Sequence, residues 1–124
     1  MSARVIVFGR EPIAGRVKTR LAAAIGDERA AAAYRLMLEH AIAASTASGM
    51  GVTVALADAP TGAWLPPAGV SVEVQEGTSL GDRMAASFAR AFAAGAGAAV
   101  LIGSDVPGLT TSRLRAAAAG CDRT

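Results

Sequence analysis

A chain of 124 residues is about the size of one average domain, which leaves no room for a second core. Hydrophobic residues at 52% and charged residues at 18% exclude an intrinsically disordered chain. A net charge of +2 is too small to mark a nucleic-acid binder, and the single cysteine, Cys121, excludes an internal disulfide and a structural zinc module.

The pattern along the chain alternates strands with helices. Arg4 to Phe8 is a short β-branched run ending at Gly9, as expected of a buried strand and a turn. Arg10 to Arg20 reads as a polar loop with Pro12 and Gly15. Asp27 is placed to cap a helix running to about Ser48, with Tyr34, Met37, Leu38, Ala41 and Ile42 along one apolar face. Gly49 and Gly51 stop it. Val52 to Leu56 reads as a second strand. A Pro-rich connection follows from Asp58 to Gly69, with one helical turn expected around Trp64. Val70 to Val74 reads as a third strand. Ser79 precedes a second helix whose face is Leu80, Met84, Phe88, Ala91 and Phe92, closed by Gly95. Ala99 to Ile102 reads as a fourth strand, and Thr110 or Thr111 caps a last helix to Ala119. The order β-α-β-β-α-β-α predicts a Rossmann-like three-layer α/β/α domain with a mostly parallel sheet. Tyr34, Met37 and Phe88 are expected in the core, Trp64 in the core or as a lid, and His40 on the surface.

Open sheets of this kind bind ligands at the carboxyl ends of strands. Two such ends carry chemistry here. Gly9 to Arg20 places Arg10, Arg16, Lys18 and Arg20 within eleven residues, and Gly15 permits close backbone approach. Arg forks and a Lys point charge suit a di- or triphosphate. A solvated basic loop accounts for the same charges. The spacing fits neither a Walker A loop nor a dinucleotide fingerprint. At the other end, Ser104 and Asp105 follow an apolar strand. Asp105 is placed either to hold Mg²⁺ or Mn²⁺ against substrate phosphates, or to cap the turn before Pro107. Ser79 and Asp82 have capping-box spacing, whereas Arg83 lies in a first helical turn, where a cation opposes the helix dipole and hints at a ligand.

Three blocks resemble a known family. Phe8 to Leu21 resembles the Phe-x-Lys/Arg-x-Pro-x-x-Gly-x-Val-Lys-Thr-Arg-Leu signature of a bacterial glycosyltransferase-like family of the arsenosugar-biosynthesis or radical-SAM/selenodomain-associated type. Gln75 to Met84 and Leu101 to Leu109 match two further blocks, and the resemblance runs from Arg4 to about Ala119. It implies a GT-A, nucleotide-diphospho-sugar transferase-like fold. By resemblance, Arg10, Gly15, Lys18 and Arg20 would meet the nucleotide diphosphate, together with Arg16, Thr19, Ser104 and Arg83. Asp105 would stand at the metal-binding carboxylate. The implied function is a metal-dependent glycosyltransferase using a nucleotide-diphospho-sugar donor and a small-molecule acceptor. Family members continue with a further strand and a Gly-Pro-x-x-Asp-Gly-Gly-Tyr-like segment that nothing in this sequence matches. The chain is therefore expected to be the N-terminal, nucleotide-binding part of a longer domain. A nucleotidyltransferase on the same scaffold and a non-catalytic nucleotide-binding module are the alternatives. No nucleic-acid or membrane partner is expected, a cytoplasmic location is, and an unpaired sheet edge would allow self-association.

Overall fold

The computed structural model describes residues 3–104 and 111–121. Its core is a four-stranded, all-parallel sheet in the order β3-β2-β1-β4. The strands are β1 (Ala3–Gly9), β2 (Gly51–Leu56), β3 (Val70–Val74) and β4 (Ala98–Gly103). The helices are α1 (Thr19–Ile25), α2 (Asp27–Ala47), α3 (Leu80–Ala93) and α4 (Thr111–Cys121).

The period-2 alternation of β1 splits the core in two. Val5 and Val7 are fully buried on one face, among Tyr34, Leu38 and Ile42 of α2, Leu114 of α4, and Val52, Val54 and Leu56 of β2. Ile6 points the other way, packing with Ala55, Ala99, Phe88 and Ala91, the last two from α3. Helices therefore cover both faces, in the three layers that the strand–helix alternation predicts. The connection between β2 and β3 carries Trp64, 6% exposed, into the larger cluster. Its backbone forms bends and no helical turn.

Several local expectations need correction. The segment after Lys18 is helical, and α1 adds an element to the predicted order. Seven residues rich in alanine carry too short an apolar period to announce a helix, and packing against α2 supplies what nucleation lacks. Asp27 is the first residue of α2, not its cap. Gly26, at φ 94°, takes the cap position, because the abrupt α1–α2 junction needs a backbone that side chains disfavour. Met37 is 39% exposed, so the α2 stripe is narrower than its spacing suggests, while Leu80 and Phe92 of α3 are 66% and 50% exposed. The final helix runs on through Gly120 to Cys121. His40 is exposed, as expected.

An ion-pair network fastens the edge strand β3 to α3. Arg90 donates to Glu73 Oε2 at 3.1 Å and to the Val74 carbonyl at 2.8 Å, and it also pairs with Glu76. Ser87, almost fully buried, donates to the same Glu73 oxygen at 2.9 Å. Desolvation pulls the Arg90 pKa down, but the hydrogen bond and charge of Glu73, then of Glu76, outweigh it and hold the guanidinium above its ordinary value. Among the described residues, no helix is long and apolar enough to cross a membrane.

Candidate functional site

The strand order fixes where a ligand can enter. The chain moves outward from β1 to β2 to β3, then returns past β1 to place β4 on its other side. The strand order therefore reverses between β1 and β4, and open parallel sheets take ligands outside the carboxyl ends of the strands at such a reversal. A cleft of about 720 Å³ lies there, a size typical of small-ligand sites. Its floor is Phe8 and Gly9 of β1, Tyr34 of α2 and Ser104 after β4, and its walls are the segment after β1 and the start of α3.

The first wall is built by alternation. Val17 is 3% exposed and anchored in the larger core cluster, which leaves its neighbours Arg16 and Lys18 on the cleft. Lys18 precedes α1 in the left-handed conformation, φ 51° and ψ 48°, and is the one non-glycine residue with positive φ among the described residues. That geometry costs an L-residue roughly 1–2 kcal/mol. A turn closed by Arg16 N–H donating to Ile13 C=O at 3.0 Å carries the chain there. Arg10 stands at the strand end, its guanidinium 3.6 Å from the Asp58 carboxylate.

The second wall explains the Gln75–Met84 block. The Gln75 backbone N–H donates to Leu56 C=O at 2.8 Å, and its side-chain amide donates to Ala55 C=O at 2.9 Å, fixing Gln75 to the end of β2. Its side-chain oxygen then accepts from Arg83 Nη1 at 3.3 Å, while Arg83 Nε donates to Gly77 C=O at 3.1 Å. Arg83 is thus held at the cleft from two directions. Gly77 has φ 133°, and a Cβ there would come within 2.7 Å of Asp82 Cβ. The turn into α3 therefore requires glycine. Ser79 caps α3 by accepting from Asp82 N–H at 3.1 Å. The reciprocal half of a capping box is replaced by Thr78, whose hydroxyl donates to Asp82 Oδ2 at 3.2 Å.

The floor is pinned by one hydroxyl. Tyr34 Oη accepts from Arg10 N–H at 2.8 Å and is hydrogen-bonded to Ser104 Oγ at 2.8 Å. A Cβ at position 9 would sit 2.8 Å from that oxygen, so Gly9 is required for the approach.

Of the sequence-derived candidates, Arg10, Arg16, Lys18, Arg83 and Ser104 line one cleft. Gly15 (φ 85°) and the exposed Arg20 lie outside that lining. The side chain of Thr19 and the whole of Asp105 fall outside the described residues. Sequence reasoning did not mark Tyr34 or Gln75 as site residues. Tyr34 was hidden in an apolar stripe, and Gln75 was visible only as the first residue of a matched block. The cleft lining holds four cations and no carboxylate. Among the described residues no three His, Cys, Asp or Glu side chains cluster. That donor set suits an anion; by itself it does not suit a divalent cation.

Residues 37–124 match the bacterial family described as "uncharacterized protein conserved in bacteria" (DUF2064). The chain belongs to the DUF2064 family. Its fold is that of nucleotide-diphospho-sugar transferases. The crystal structure of a "putative nucleotide-diphospho-sugar transferase" from Desulfovibrio desulfuricans G20 superposes with a TM-score of 0.86 and 28% identity over 96% of this DUF2064 chain. The match covers 54% of that protein, so the present chain spans about half its length. No curated protein gives a significant match to the DUF2064 chain.

Proposed function

We propose that this chain binds a nucleoside-diphosphate sugar in the cationic cleft and forms the donor-binding part of a glycosyltransferase acting on a small-molecule acceptor. The observation that carries the reading is the convergence of Arg10, Arg16, Lys18 and Arg83 on one cleft at the point where the strand order reverses. As the sugar leaves, negative charge builds on the diphosphate. Cations already held in place stabilise that charge without reorganising. Arg83, fixed by Gln75 and Gly77, is the most preorganised of them. The likeness to the Desulfovibrio protein supports the donor class.

A divalent cation on Asp105 is a separate part of the proposal. It rests on that residue's position next to Ser104 of the cleft floor. Titrating the chain with nucleoside diphosphates, with and without Mn²⁺, tests both parts. Micromolar binding that is lost in Lys18→Ala and Arg83→Ala is the expected result. A rise in affinity with Mn²⁺ that disappears in Asp105→Asn supports the metal. Absence of binding for every nucleotide under both conditions refutes the reading.

A further inference from the structure

Beside the cleft lies a second pocket of about 550 Å³, lined by Arg10, Glu11, Ile13, Arg16, Asp58 and Ala59. Arg10 and Arg16 line both spaces, so a ligand whose anionic part occupies the cleft can extend into the pocket. Glu11 forms part of its wall and is 7% exposed. Its Oε1 accepts from Thr61 N–H at 2.8 Å, which anchors the side chain to the β2–β3 connection. Its Oε2 is buried and has no hydrogen-bond partner among the described residues. A buried carboxylate oxygen without a donor is costly, and such atoms are rare in folded proteins.

The neighbouring charges restrict what could supply the donor. Arg10 and Arg16 line the same pocket and disfavour a second cation, while the carboxylates of Glu11 and Asp58 disfavour an anion. A neutral donor, an N–H or an O–H, satisfies both conditions. On a nucleotide whose diphosphate lies in the adjacent cleft, the N–H donors belong to the base.

We propose that Glu11 reads the base of the bound nucleotide by accepting a hydrogen bond from its ring N–H. The inference rests on the nucleotide-binding reading above. Guanine, uracil and thymine carry such a ring N–H. Adenine and cytosine present a ring nitrogen lone pair at the equivalent position, which a carboxylate repels. For Oε2 to meet that N–H, the Glu11 carboxylate must turn toward the pocket that its side chain lines.

Isothermal titration of the full chain with GDP, UDP, dTDP, ADP, CDP and inorganic pyrophosphate tests this. Wild type is expected to bind at least one of GDP, UDP and dTDP about tenfold more tightly than ADP and CDP, roughly 1.4 kcal/mol. Glu11→Gln, whose amide can donate to a ring nitrogen, is expected to erase that preference and leave pyrophosphate affinity unchanged. Equal wild-type affinities for all five nucleotides overturn this inference alone. So does a Glu11→Gln variant that weakens every ligand, pyrophosphate included, by one factor. No binding of any nucleotide overturns this inference and the proposed function together.

Discussion

Tyr34 and Ser104, seventy positions apart in the chain, are joined by a buried 2.8 Å hydrogen bond between their hydroxyl oxygens. The same phenolic oxygen takes the Arg10 N–H, so the first turn after β1 and the end of β4 share one anchor. Tyr34→Phe keeps the ring and its packing but leaves the Arg10 N–H and the Ser104 hydroxyl without that partner. A stability loss of about 1–3 kcal/mol by urea unfolding is expected. Nucleotide affinity should fall with it, because the segment after β1 and the end of β4 lose their common anchor.

Lys18 allows strain and charge to be separated. Lys18→Ala and Lys18→Gly remove the same ammonium, but only glycine accepts φ 51° without cost. Both variants should bind nucleoside diphosphate equally weakly. The glycine variant should be the more stable of the two by about 1 kcal/mol, measured by chemical denaturation. Equal stability of the two would mean that the left-handed geometry is lost once the side chain is removed.

Gly77→Ala meets both a disfavoured φ and a Cβ placed 2.7 Å from Asp82 Cβ. The turn into α3 must shift, and with it the carbonyl that accepts from Arg83. A destabilisation of about 1–3 kcal/mol is expected, with weaker nucleotide binding. Gly69→Ala makes a useful control. Its φ is 84°, but nothing lies within 4 Å of the added Cβ. That variant should lose stability without losing affinity.

Arg90→Ala removes the donors that hold Glu73 and the Val74 carbonyl. A loss of about 1–2 kcal/mol is expected from thermal or urea unfolding, and it should shrink in high salt. The Arg90 pKa is raised on folding. Its contribution is therefore complete below the ordinary arginine value and lost only as pH rises through the folded one. The wild-type to variant difference should accordingly be the same at pH 6 and pH 9.

The strands were legible because each is a run of β-branched or aliphatic residues bounded by glycine or a polar stretch. β3 has the bounds read from its Val-x-Val-x-Val pattern. The order of strands in the sheet was not, since local periodicity does not say that β4 pairs on the far side of β1. That order is what brings Arg83 to face Lys18. The charges of the segment after β1 were visible; the division of labour among them was not. Val17 turns Arg16 and Lys18 toward the cleft, while α1 carries Arg20 away from its lining. The burial of Glu11 was not legible, because its anchor is Thr61, fifty residues further on.

Of the two inner strands, β1 comes first in the chain and is the last to gain its second neighbour. β1 finds its β2 neighbour about fifty residues later and its β4 neighbour only after residue 98. Until then one edge of an apolar strand stays open, and such contacts, distant in sequence, are slow to form. The cleft closes with that final pairing, since Ser104 arrives with it. A ligand of the cleft would therefore select only chains whose sheet is finished, and its presence during synthesis would favour completion over edge-to-edge association.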